Sequence, residues 1–163
     1  KAEPYVRPLA KLLNAKIIMP CDVRDELDIG ALFDMVSQKW GTLDFLLHAI
    51  AFAPKVDLQG RVTDCSRDGF LEAMDISCHS FIRLAKMAEP LMTRGGSLLT
   101  LTYIGSTEVV KHYGLMGPVK AALESSVRYL AAELGDKNIR VNAISPSAIM
   151  TRAGAGLLIL TDY

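Results

Sequence analysis

The sequence predicts an α/β fold, a doubly wound parallel sheet with helices on both faces. Short apolar runs alternate with longer stretches whose apolar residues recur every three or four positions, in the order β-α-β-α-β-α-β. Each helical stretch is long enough to cross between parallel strands. No linker-like tract and no internal repeat interrupts the 163 residues, so the chain reads as a single domain.

The elements follow in order. Residues 16–20, Lys-Ile-Ile-Met-Pro, form a first strand that ends at the turn-prone pair Cys21-Asp22. Ile29, Leu32, Phe33, Val36 and Trp40 then mark one face of a helix, with Asp25 as its N-cap and Gly41 as its stop. Residues 44–50 are apolar nearly throughout, which predicts a strand buried on both faces. A long helix is expected over 68–92, with Phe70, Met74, Phe81, Leu84 and Ala88 inward. Gly95-Gly96 turn the chain into a strand at 97–102. A third helix covers 115–134 and a last strand 139–144, while the first residues read as a helix already under way. In parallel sheets ligands gather at the carboxyl ends of the strands. The segments to search are therefore 21–25, 51–67, 102–118 and 145–156.

Composition narrows the function classes. Lys+Arg and Asp+Glu are 18 each, so the basic excess of a nucleic-acid binder is absent. The longest apolar run, 45–53, is interrupted by His48 and falls far short of the roughly 20 residues that cross a bilayer. The chain opens on the polar Lys1-Ala2-Glu3, unlike a signal peptide. Cys21, Cys65 and Cys78 are odd in number and widely spaced, as expected of reduced thiols in a soluble, cytoplasmic protein. His48, His79 and His112 have no neighbours at ligand spacing, so no metal site is expected. His48, inside a strand, reads as a core imidazole with its hydrogen bonds satisfied.

Tyr113 and Lys120 are seven apart at the start of the third helical stretch. On a helix that spacing puts both on one face, ~10 Å apart along the axis. A tyrosine hydroxyl can donate to a developing oxyanion, and a nearby ammonium would ease the donation by lowering the phenol's pKa. By itself the pair more often describes a solvated lysine and a half-buried tyrosine.

Its surroundings point further. Tyr103 precedes Tyr113 by ten residues, and the common Tyr-x-x-x-Lys spacing is absent because Gly117 stands four after Tyr113. With His48-Ala-Ile-Ala-Phe-Ala-Pro54, Met74-Asp-Ile-Ser-Cys-His-Ser-Phe-Ile-Arg83 and Arg140-Val-Asn-Ala-Ile-Ser145 in the same order, the chain resembles the bacterial NADH-dependent enoyl-acyl-carrier-protein reductases. These are a branch of the short-chain dehydrogenase/reductase superfamily, and the likeness runs from Cys21 to about Ala153.

The resemblance implies a Rossmann-like dinucleotide-binding domain and an NADH-dependent reduction of enoyl thioesters on acyl carrier protein, in fatty-acid biosynthesis. It implies that Tyr113 bonds the thioester oxygen, that Lys120 holds the nicotinamide ribose, and that Tyr103 lines the acyl pocket with Phe52, Leu58, Met116 and Ala153. For Met116 the plain alternative is helix packing. Asp22 and the Val23 backbone would receive adenine, the alternative for Asp22 being an ordinary turn residue. Ala51 would let the nicotinamide approach, and Ile149 and Thr151 would flank nicotinamide and pyrophosphate. A homotetramer is implied too, with Ile76, Ile82, Met87, Val119, Leu123 and Val127 as apolar positions available to neighbouring subunits.

The chain also departs from the family. It lacks the opening strand and Gly-rich turn that cradle pyrophosphate, and the last strands and helices. It is expected to be the central portion of a longer protein, with residues 154–163 joined across a gap. Pro146-Ser147-Ala148 stands where the family tends to have Gly-Pro, and Gly114 follows Tyr113. Two other readings stay open: a superfamily reductase acting on a ketone or alcohol, and a non-catalytic nucleotide-binding remnant.

Overall fold

The structure is a computed structural model and describes residues 3–146. Helix α1, Glu3–Leu12, is exposed along its length and buries no residue. Helix α2, Glu26–Trp40, starts where expected: the Asp25 carboxylate accepts from the Leu27 N–H, and Ile29, Phe33 and Val36 point into the core. Gly41 stops it at φ +74, donating its N–H to the Ser37 carbonyl.

Three strands form one parallel sheet in the order β1-β2-β3: β1 Phe45–His48, β2 Gly96–Leu101 and β3 Ile139–Ile144. Phe45 pairs with Ser97 and His48 with Thr100, while Gly96 pairs with Ile139 and Leu101 with Ile144. All three strands therefore end at one edge. Gly95, at φ +81, makes the turn into β2, and a Cβ there would meet the Asn138 carbonyl oxygen at 2.6 Å.

Between β1 and β2 the chain forms the short α3, Lys55–Gln59, then α4, Arg67–Met74, and α5, Ser80–Ala88. A π-helical turn, Asp75–His79, joins α4 to α5, so the long helix expected here carries a bulge at its middle. Helix α6, Met116–Leu134, packs on β3 and α5, and its Val119, Leu123, Val127 and Leu130 complete the core with Phe81, Leu84 and Leu98.

Four expectations change. Residues 16–20 are not a strand: no described neighbour offers them a ladder, and Pro20 has no N–H to give one. Strand β1 is not buried on both faces, since Phe45 is 64% and Leu47 52% exposed while Leu46 and His48 face the helices. Phe70 is exposed, whereas Phe81, Leu84 and Ala88 are inward as expected. Ile76, Val119, Leu123 and Val127 are buried within this chain and so are not free for a neighbouring subunit. Among the described residues no helix is long and apolar enough to cross a membrane.

Candidate active site

The loops that leave the strands' carboxyl ends bring the chemistry together. Thr102 and Tyr103 directly follow β2, and a short turn of 3-10 helix, Ile104–Ser106, leads towards Tyr113. The Tyr103 and Tyr113 rings meet with centroids 4.9 Å apart at 57°. Gly105 makes the approach possible, because a Cβ there would lie 2.4 Å from the Tyr113 ring. Gly114, at φ +46, turns the chain into α6 with the Leu58 carbonyl oxygen 3.0 Å from where its Cβ would be.

Tyr113 is thus outside α6, and the shared helix face expected for Tyr113 and Lys120 is not how they are related. Pro118, in the first turn of the helix, is tolerated there because the N–H it lacks would be unpaired. Lys120 is 5% exposed rather than solvated, and its Nζ donates to the Leu101 carbonyl oxygen at 2.7 Å. Burial lowers its pKa to about 8, against the raising effect of Cys78 and Glu124. The Tyr113 hydroxyl is pushed up, by burial and then by Tyr103, so the expected lowering by a lysine is corrected. A phenol held protonated in this way is a hydrogen-bond donor at neutral pH.

Met116 packs in the same core as Tyr113, and Leu58 leans on it half-buried. Phe52 and Ala51 are exposed beyond β1. The Phe52 backbone is held by Ser77 from the π turn, whose hydroxyl accepts from the Phe52 N–H and donates to its carbonyl, both at 2.9 Å. A cleft of about 630 Å³ is lined by Tyr113 together with Gly60, Arg61, Gly105 and Gly114; neither Tyr103 nor Lys120 lines it.

Asp22 and Val23 lie on a separate segment. The exposed Asp22 carboxylate is bound by Arg24 through Nε, Nη2 and the backbone N–H, which holds its pKa well below the carboxylate range. Arg24 also reaches Glu72 at 3.0 Å. Val23 is anchored through its carbonyl oxygen, which accepts from Arg83 Nη2 at 2.6 Å, while the same guanidinium pairs with Asp75 at 3.0 Å. Ile149, Thr151 and Ala153 lie outside the described residues.

His48 is the satisfied core imidazole expected. Nδ1 meets Thr100 Oγ1 and Nε2 meets Ser80 Oγ, both at 2.8 Å, and burial pushes its pKa down to about 4. Among the described residues no group of His, Cys, Asp and Glu could hold a metal ion. Sequence reasoning missed Ser77, Arg83 and Glu124. The signal for Ser77 was a small polar residue on an otherwise apolar helix face; for Glu124 it was the position one turn after Lys120.

Residues 1–160 match the family described as enoyl-(acyl carrier protein) reductase. The chain belongs to that family. An NADH enoyl-[acyl-carrier-protein] reductase of Rhizobium meliloti is 51% identical over 152 residues, covering 93% of this chain and 57% of the relative. The NADH enoyl-[acyl-carrier-protein] reductase FabI of Synechocystis is 50% identical over 155 residues, covering 95% of this chain and 60% of its own length. The reductase of Anaplasma phagocytophilum, solved in complex with NAD, gives a TM-score of 0.91 at 50% identity and covers 96% of this chain and 60% of that one. The Aquifex aeolicus reductase gives 0.93 at 44% identity, with 98% and 64% covered. The chain spans about three fifths of the length of the curated reductase-family relatives it matches. The Rossmann-like fold expected from the sequence is that of these structures.

Proposed function

We propose that the complete protein carrying this chain reduces the trans-2 double bond of an enoyl thioester on acyl carrier protein, using NADH, in fatty-acid elongation. The observation that carries the reading is Lys120, a buried ammonium held on the carbonyl of Leu101 at the end of β2, from which the chain runs directly through Thr102 to Tyr103 and its ring partner Tyr113. An ammonium has three protons, and one is used on Leu101. The others suit the paired hydroxyls of a ribose, so the residues present fit the cofactor at this point.

When bound, NADH supplies the hydride that adds to the β-carbon. The protein does the rest. Tyr113 donates a hydrogen bond to the thioester oxygen as charge reaches it, a stabilisation that grows towards the transition state, and a proton delivered to the α-carbon from Tyr113 or solvent completes the saturated thioester. Tyr103 steadies the Tyr113 ring and lines the acyl pocket, with Phe52, Leu58, Met116 and Ala153 as apolar wall. Ala51 leaves room for the nicotinamide, and Ile149 and Thr151 flank nicotinamide and pyrophosphate. The Val23 N–H and the Asp22 carboxylate receive adenine, with Asp22 sharing its oxygens between adenine and Arg24. The protein works as a cytoplasmic homotetramer, and the exposed Tyr129 and half-buried Ile82, on α6 and α5, offer the apolar surface for subunit contact.

The test is an assay of the complete protein with crotonyl and acetoacetyl thioesters, each with NADH and NADPH. NADH oxidation with the crotonyl thioester is expected. Turnover of acetoacetyl thioester alone would assign a ketone reductase instead.

A further inference from the structure

We propose that Glu124 is a positioning residue that locks the Tyr103–Tyr113 pair against α6, an inference that rests on the reductase reading above. Its Oε1 accepts from Thr102 Oγ1 at 2.6 Å and from Ser106 Oγ at 2.5 Å. One carboxylate oxygen therefore gathers two hydroxyls from either side of Tyr103. Hydroxyl-to-carboxylate bonds of this length belong to the strong, charge-assisted kind.

The loop between those hydroxyls is closed on itself. The Ser106 N–H donates to the Tyr103 carbonyl at 2.9 Å, and the Thr107 and Glu108 N–H groups to that of Ile104 at 3.0 Å. Gly105, within it, is where the Tyr113 ring comes to rest. A shift of the loop moves both rings: Tyr103 belongs to it, and Tyr113 leans on it. Helix α6 grips the loop twice from one face, since Lys120, one turn before Glu124, holds the Leu101 carbonyl next to Thr102. The grip also carries charge. Cys78 from the π turn favours the protonated form of Lys120 only as a thiolate, which its burial opposes; Glu124 favours it as a carboxylate, and His48 from β1 is the third titratable group that interacts with that ammonium.

The experiment uses the complete protein and two readouts. Amide hydrogen exchange at residues 103–108 reads the loop, and turnover of crotonyl thioester at saturating NADH reads the chemistry. Glu124→Ala removes both acceptors: exchange at Ser106 and Thr107 should quicken at least tenfold and turnover should fall roughly tenfold or more, with NADH affinity within about threefold. Glu124→Gln keeps an acceptor oxygen and loses the charge. Its exchange protection should be retained, while the alkaline limb of NADH affinity, set by Lys120 losing its proton, moves to lower pH. Thr102→Val with Ser106→Ala should quicken exchange without moving that limb, a pattern that a general folding defect does not imitate. Parental exchange and turnover in Glu124→Ala overturn the proposal, as does an unmoved alkaline limb in Glu124→Gln. If the parent fails to reduce crotonyl thioester while the exchange difference persists, the reductase reading falls and the positioning of the loop by Glu124 stands.

Discussion

Two basic side chains are buried to nearly the same depth in this chain and meet opposite fates. His48 has a hydroxyl on each ring nitrogen and is kept neutral at physiological pH. Lys120 is coupled to Cys78, Glu124 and His48, is lowered only to about 8, and gives one of its three protons to a backbone carbonyl. The imidazole's surroundings are closed, with every donor matched. The ammonium spends one proton on the Leu101 carbonyl, at the last residue of β2. Burial of a titratable group does not by itself mark a site; unspent hydrogen-bonding capacity does.

The largest effect is expected at His48. His48→Ala leaves a cavity and removes two buried side-chain hydrogen bonds, leaving the Ser80 and Thr100 hydroxyls only their backbone carbonyls, so unfolding in urea should show a loss of about 4 kcal/mol. Loss of less than about 1 kcal/mol would mean the polar core is not closed.

The pH dependence comes next. The His48 pKa is depressed from 6.5 to about 4 on folding. The unfolded chain therefore takes the proton first, and stability present above pH 6.5 is lost as pH falls through 4, by about 3 kcal/mol. Lys120 has the same sign in another window. Its pKa falls from 10.5 to about 8, so the cost of burying the charge is fully felt below pH 8 and relieved by pH 10.5. Unfolding free energies of the cofactor-free protein from urea titrations, measured against Lys120→Met, should differ by about 3 kcal/mol below pH 8 and converge at the alkaline end. A difference that does not change with pH would refute the assignment.

Tyr113→Phe separates the hydroxyl from the ring. Packing is kept and the hydroxyl lost, so enoyl-thioester turnover with prebound NADH should drop roughly 30- to 100-fold, about 2–3 kcal/mol of barrier, with unfolding unchanged. Stopped-flow reduction reads it, and an equal loss of cofactor affinity with normal chemistry would remove Tyr113 from the reaction.

The smallest effect is expected at Asp22. Arg24 already occupies its carboxylate, so Asp22→Ala should weaken NADH binding by about 1 kcal/mol and leave turnover at saturating cofactor alone. An unchanged dissociation constant by titration would return Asp22 to the role of a turn residue.

What was legible in the sequence was local. Asp25 and Gly41 bound α2 because a cap and a left-handed stop are decided by neighbouring residues. Residues 139–144 formed the strand expected because alternation and β-branched residues suffice when a partner lies alongside. Residues 16–20 carry similar chemistry and formed none, since a ladder needs a neighbour that no local pattern supplies. In the candidate site, spacing drew attention to Tyr113 and Lys120, the family resemblance added Tyr103, and the relation among the three was not legible. The expected helix bounds, 115–134, already left Tyr113 outside α6, so helical spacing could not relate it to Lys120. Glu124 looked like any helical carboxylate because its partners, Thr102 and Ser106, stand about twenty residues away.

The π turn at Asp75–His79 acts as a phase shifter. Upstream of it α4 reaches Arg24, the partner of Asp22, through Glu72; downstream, Ser80 must meet His48, and within it Ser77 must meet Phe52. Each residue of a helix advances the face by about 100°, so the surplus residue is what lets one rod keep three appointments on different bearings. Side chains along it can be exchanged one at a time. Its length cannot: a single deletion there would bring the two halves into step and turn Ser80 away from the histidine it satisfies.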